Sequence, residues 1–283
     1  MTATKLFKRA APLLEMIEAA IPEAASNEYR FVSDEWFVDW LKTSDFSAEQ
    51  FNYIITSELV EKAHLASLTA IIRAKRWADA VCVMYERKNF PGWAAAVRGL
   101  LESAGDTVDG LLQVPHTLAL HHRLISLCLA GKQSELVLAG ELEAALDHFV
   151  HAKWRRGGDP GVKAKDSVAY VRTLASVIPN VEALYHKLCG VCHPSSASID
   201  YFNVPTDGGF KVSLDQDGSA IAKLCEEHPD ALQDILMMHC NPPLMVLKVL
   251  HVFKVHPTIK ALRPFALENI KSGNEIQRLL KQN

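Results

Sequence analysis

Long apolar runs are missing from this chain. No stretch of about 18 uncharged apolar residues occurs, so a membrane-spanning helix is not expected. An excess of one charge is missing too. The net charge of −3 gives no overall attraction to nucleic acid and leaves any such contact to a local patch. Lys5, Lys8 and Arg9 imitate the start of a signal peptide, but Glu15 and Glu18 interrupt the apolar stretch that would have to follow. The expectation is a soluble, cytoplasmic protein. Cysteine is sparse: the six residues at 82, 128, 189, 192, 225 and 240 are scattered through helix-like sequence and form no disulfide framework. No internal repeat with a period of about 20–50 residues is visible, which argues against a solenoid. A phosphate-cradling P-loop is absent as well, because Gly158-Asp159-Pro160-Gly161-Val162-Lys163 lacks the required spacing and follows a helix rather than a strand.

What is present is helical periodicity. With 283 residues, 49% of them apolar and 22% charged, the chain can bury a sizeable core as one large domain or two small ones. Leu6, Leu13, Leu14, Ile17 and Ile21 mark one face of a first helix over 4–21, closed by Pro22. Ser33 or Asp34 caps a short aromatic helix carrying Trp36, Phe37 and Trp40. Ser47 and Gln50 form a capping box for a helix to about Ala74, and another follows over 75–88. Phe90-Pro91 opens a helix to Gln113, Pro115 one to Gly131, and Ser134 one that ends in the basic cluster Lys153, Arg155, Arg156. Gly157 to Gly161 reads as a connector, and helices over 164–177 and 180–192 come next.

Only 200–214 reads as β structure. Asp207-Gly208-Gly209 is a turn, and Phe210, Val212 and Leu214 alternate after it. Helix returns over 218–239, 243–255 and 258–282, interrupted at Pro242-Pro243 and at Gly273. The expected fold is therefore all-α: an antiparallel helical bundle over 47–200, an N-terminal helical extension over 1–46, and a β-hairpin with C-terminal helices over 201–283.

Three constellations carry chemistry. Cys189-Gly190-Val191-Cys192-His193 has the spacing of a c-type haem attachment site, a reading that requires an exported chain. Cys189 and Cys192 with Cys225 and His228 supply four ligands suited to zinc, with His239 and Cys240 nearby, although both pairs fall in helix-like sequence rather than on knuckles. Buried, unliganded cysteines are the alternative, and the reading adopted has no metal and no cofactor. The third constellation is polar. Pro194 fixes the backbone after His193, whose imidazole can serve as general acid or base or simply cap the helix. Arg98 and Glu102 stand one turn apart within an apolar stretch, where a charge needs a partner. Tyr185 and His193 are candidate third members of that pair.

The run from Ile71-Ile72-Arg73 through Glu86, then Val97-Arg98-Gly99-Leu100-Leu101-Glu102, then Tyr185 to His193-Pro194-Ser195, resembles a little-characterised bacterial branch of the HEPN superfamily (higher eukaryote and prokaryote nucleotide-binding). The resemblance covers roughly residues 50–200. It implies a helical bundle, frequent homodimerisation and, in active members, metal-independent RNA cleavage; many members belong to toxin–antitoxin or antiphage systems. Active members carry an arginine shortly before the histidine, usually followed by a polar residue. Here Lys187 and then Leu188 stand in that place; lysine keeps the charge but lacks the planar fork that grips phosphate. The resemblance implies that His193 exchanges protons with the ribose 2′-hydroxyl or the leaving oxygen. Lys187 or Arg98 would neutralise the phosphate, and Glu102 and Tyr185 would orient the site. RNA, a second copy of the chain and an antitoxin or defence-system protein are the partners it implies. The alternatives are a catalytically inactive helical interaction module, which the lysine favours, and a zinc-stabilised binding domain.

Overall fold

The computed structural model describes residues 2–43, 46–152 and 163–282. The basic cluster at Lys153, Arg155 and Arg156 and the connector from Gly157 to Gly161 lie outside the described residues. Among the described residues the fold is all-α with one small antiparallel hairpin. In chain order the helices are α1 (Thr2–Phe7), α2 (Ala11–Ala24), α3 (Asp34–Leu41), α4 (Ala48–Glu86), α5 (Phe90–Leu111), α6 (Val114–Leu120) and α7 (His122–Leu129). They continue as α8 (Gly140–His151), α9 (Ser167–Ala175), α10 (Val181–Cys192), α11 (Ala197–Asp200), α12 (Asp217–Glu227), α13 (Ala231–Leu250) and α14 (Gly273–Lys281). The hairpin pairs β1 (Asn203–Thr206) with β2 (Gly209–Val212), Asn203 opposite Val212 and Thr206 opposite Gly209. Gly208 in its turn has φ +146°, a conformation that L side chains rarely adopt.

The chain forms two compact units. The first is assembled from Met1–Glu18, Ile72–Asp109 and Lys165–Cys240, the second from Ala19–Ile71, Gly110–Ala164 and Asn241–Asn283. Each unit thus takes residues from all three of the consecutive regions expected from sequence. Phe7, Trp93, Leu100, Leu101, Leu188 and Ile221 are buried in the first unit, and Ile71, Leu111, Leu118, Leu146 and Leu244 in the second. Each such side chain contributes about 1.5–3 kcal/mol of burial.

Several element boundaries differ from expectation, each for a local reason. The expected break at Ala74 is absent and α4 is one helix of 39 residues; no Gly or Pro falls between Ile71 and Asp79, so nothing there stops propagation. The helix expected from Ser134 starts at Gly140 instead. Asn52 explains the delay: its amide donates to the carbonyls of Gln133 and Glu135 at 2.8 Å and accepts from the Val137 N–H at 3.0 Å. Those backbone groups are thereby satisfied outside a helix. The expected helix 218–239 is two, α12 and α13, because Pro229 pushes His228 out of the helical region to φ −131°, ψ 63°. Pro242 and Pro243, expected to interrupt, sit inside α13, where burial of Leu244, Val246 and Val249 offsets the two lost helical bonds. Ala231–Phe253 is long and apolar enough by composition to cross a membrane, and 67% of its most apolar window is buried inside the structure, as in a core helix. The expected helix 258–282 shrinks to α14, with short 3-10 turns before it.

Candidate functional site

All five residues singled out from sequence belong to the first unit. Arg98 and Glu102 lie on α5, Tyr185 and Lys187 on α10, and His193 is the residue that ends α10. The start of α5 is fixed by side chains: Asp217 accepts from the Phe90 N–H at 2.7 Å, and Asn89 from the Gly92 N–H at 2.8 Å. Burial of Trp93, Val97, Leu100, Leu101 and Ala104 sets which face of α5 points inward and leaves Arg98 and Glu102 half-buried at its edge. Two glycines let neighbours come close. A Cβ on Gly99 would lie 2.6 Å from the Trp77 ring, and one on Gly105 only 2.3 Å from the Tyr170 carbonyl oxygen on α9.

In α10, Val181, Leu184, Tyr185 and Leu188 face the core. The helix ends where the His193 N–H donates to the Cys189 carbonyl at 2.9 Å. His193 itself is extended, φ −100°, ψ 153°, as a residue before proline prefers. The loop after it is ordered by serines: Ser195 Oγ donates to the Gly190 carbonyl and Ser198 Oγ to the Ser195 carbonyl, both at 2.7 Å.

Four of the five side chains meet. Arg98 Nε donates to Glu102 Oε1 at 2.8 Å, and Tyr185 OH donates to the same oxygen at 3.1 Å. Arg98 Nη1 donates to His193 Nε2 at 2.7 Å. The guanidinium carbon also lies 5.6 Å from the Tyr185 ring centroid, within cation–π range. A guanidinium has no acceptor, so His193 accepts at Nε2 and is assigned its proton at Nδ1. The site is graded in depth: Tyr185 is 4% exposed, the Arg98 and Glu102 side chains are 22% and 26% exposed, and His193 lies in the open.

The electrostatics follow this gradient. Burial works against the charge on Arg98, but the hydrogen bond and charge of Glu102 outweigh it and raise the arginine above its ordinary value. The Tyr185 phenol is pushed up, first by burial and then by a hydrogen bond with Cys189 and the charge of Glu102, so it stays protonated and can only donate to the carboxylate. Burial likewise raises the Cys192 thiol, against the pull of Arg98.

Lys187 is the member that does not join. Its Nζ pairs with Glu227 Oε2 at 2.5 Å. The reason is helical phase: at 3.6 residues per turn, position 187 lies about 200° around α10 from position 185. With Tyr185 facing the core, Lys187 faces away. The arginine of α5, not the basic residue of α10, is the cation at the imidazole.

No group of three or more His, Cys, Asp or Glu side chains that could hold a metal ion occurs among the described residues, so Cys189, Cys192, Cys225 and His228 do not gather into a zinc site. His193 Nε2, the nitrogen an iron would take in the haem reading, is bonded by a cation instead. Reading the sequence missed the contact of Cys189 with Tyr185, for which the i, i+4 spacing was an available signal. It also missed the Asp217 cap on α5, for which a separation of 127 residues left none. No family model, curated protein or solved structure matches the chain.

Proposed function

We propose that this chain is a HEPN-like, RNA-directed protein of the cytoplasm that cleaves RNA without a metal ion, acting as a homodimer in a toxin or antiphage system. The observation that carries the reading is the 2.7 Å contact between Arg98 and an exposed His193, an imidazole and a permanent cation side by side where a polynucleotide backbone can reach both.

The chemistry runs as a transesterification. His193 removes the proton of a ribose 2′-hydroxyl, whose oxygen bonds to the adjacent phosphorus. The bond from phosphorus to the 5′-oxygen breaks, and that oxygen takes up a proton from solvent water. The products are a 2′,3′-cyclic phosphate and a 5′-hydroxyl. Arg98 Nε is held by Glu102, which leaves Nη1 and Nη2 to meet the phosphate oxygens that gain charge in the transition state. Because Nη1 caps the lone pair of His193 Nε2, an incoming phosphate that draws the guanidinium towards itself also frees the base. Glu102 and Tyr185 are positioning residues, holding Arg98 from below.

The test is incubation of the purified chain with single-stranded RNA in excess chelator. Wild type yields fragments ending in cyclic phosphate, and His193→Ala and Arg98→Ala yield none. Equal behaviour of the three proteins refutes cleavage. Light scattering tests the dimer. A second reading, an interaction module that has lost the chemistry, is favoured by the pairing of Lys187 with Glu227, and it is the one left if wild type leaves RNA intact.

A further inference from the structure

The second unit contains a cavity of about 210 Å³ that the reading above does not use. Its lining carries five basic side chains, His64, Lys248, His251, His256 and Arg263, and no carboxylate. Leu250, Ile259 and Leu262 supply an aliphatic wall. We infer that this cavity is a binding site for a small organic phosphate, whose phosphoryl group meets the basic cluster while its organic part lies on the aliphatic wall.

His64, Lys248 and His256 are held in the wall, while His251 and Arg263 stand exposed at the rim. Lys248 Nζ is positioned by the Arg263 carbonyl at 3.3 Å, and Arg263 makes no ion pair among the described residues. The His64 and His256 rings stack, 3.8 Å between centroids and 20° between planes. Tyr29 OH meets His64 Nδ1 at 2.8 Å, which fixes that ring. The His256 side chain is only 10% exposed, and its Nε2 has no hydrogen-bond partner among the described residues. That nitrogen faces Glu61 Oε2 at 3.8 Å, an oxygen that also has no hydrogen-bond partner among the described residues. Thr258 Oγ1 contacts His251 Nδ1 at 3.1 Å and adds a hydroxyl to the rim.

An ammonium and a guanidinium lining one cavity with three imidazoles, and no carboxylate in that lining, call for an acceptor-rich ligand. Two cations with surrounding imidazole donors match a phosphomonoester, which carries nearly two negative charges at neutral pH and three acceptor oxygens. A carboxylate would satisfy fewer of them. Burial lowers the pKa of Lys248 despite the charge of Glu268, so an anion in the cavity would stabilise its ammonium.

The test uses titration calorimetry on the full chain with phenyl phosphate, inorganic phosphate and the neutral benzyl alcohol. Phenyl phosphate is expected to bind at least tenfold more tightly than either of the others. A Lys248→Met/Arg263→Met double variant should lose at least tenfold in affinity, with an unchanged circular dichroism spectrum. Arg98→Ala should bind as wild type does. This separates the inference from the nuclease reading, because loss of binding in Arg98→Ala alone would put the phosphate at the other site and overturn the inference. If the double variant fails to fold, hydrogen exchange on wild type decides: phenyl phosphate must protect amides within 247–263. Protection only elsewhere, no protection, or equal binding of benzyl alcohol overturns the inference.

Discussion

Acidification should weaken this protein through His64. That imidazole is 3% exposed and lies against His256, and burial, with the charge of His256 added, depresses its pKa to about 3. In the unfolded chain it titrates at about 6.5. Between those two values the unfolded state binds the proton and the folded state does not. The stability that His64 contributes is therefore complete above pH 6.5 and is lost progressively as the pH falls towards 3. At pH 5 the folded ring is still neutral, so the loss is set by the distance from 6.5: about 1.5 pH units at 1.36 kcal/mol each, or about 2 kcal/mol. Urea unfolding of wild type and His64→Gln at pH 7 and pH 5 measures it. Glutamine can still meet the Tyr29 hydroxyl but does not titrate. His256, also depressed by burial, adds to the slope in both proteins; Glu61, raised by burial, opposes it in both. The fall in stability from pH 7 to pH 5 should be smaller in the variant by about 2 kcal/mol. Equal falls would refute the reasoning, because they would mean that the folded ring takes up its proton as readily as the unfolded one.

Three further outcomes follow from the geometry around Arg98. Gly105→Ala puts a Cβ 2.3 Å from a backbone carbonyl of α9, so α5 and α9 must part. The overpacking costs about 1–3 kcal/mol, more than the better helix propensity of alanine returns, and urea unfolding should show net destabilisation. Tyr185→Phe removes one of the two hydrogen bonds on Glu102 Oε1. A stability loss of about 1 kcal/mol and a several-fold slower RNA cleavage are expected, short of the complete loss in His193→Ala. Lys187→Ala should leave RNA cleavage within about twofold of wild type, since its ammonium is committed to Glu227 in a solvent-screened surface pair; a large loss of cleavage would return Lys187 to the site.

Much of the secondary structure was legible because its signals are local. Ser47 and Gln50 exchange hydrogen bonds as a capping box should, Ser33 caps α3, and the Asp207-Gly208 turn joins β1 to β2. What was not legible depends on distant residues or on competition between signals. Asn52 holds the chain some 81 to 85 residues away out of helix, and nothing in the local sequence reveals it. The two prolines of α13 were read as a break because their local cost is plain, while the burial around them is a property of the folded core. At the site, the pairing of Arg98 with Glu102 was visible from spacing, and the meeting with Tyr185 and His193 from apolar context. Lys187 was singled out by counting along the chain, whereas the angle around the helix turns its ammonium to Glu227. The basic cavity was invisible, since Tyr29, His64 and His256 carry no shared motif and approach only in three dimensions.

The interleaving of the two units limits how the chain can be taken apart. Each core needs three separate stretches of polypeptide, so no single cleavage point or stop codon frees one intact half from the other. A shortened version of the gene would encode fragments with open hydrophobic seams, and a stable half could come only from splicing distant pieces together through new loops.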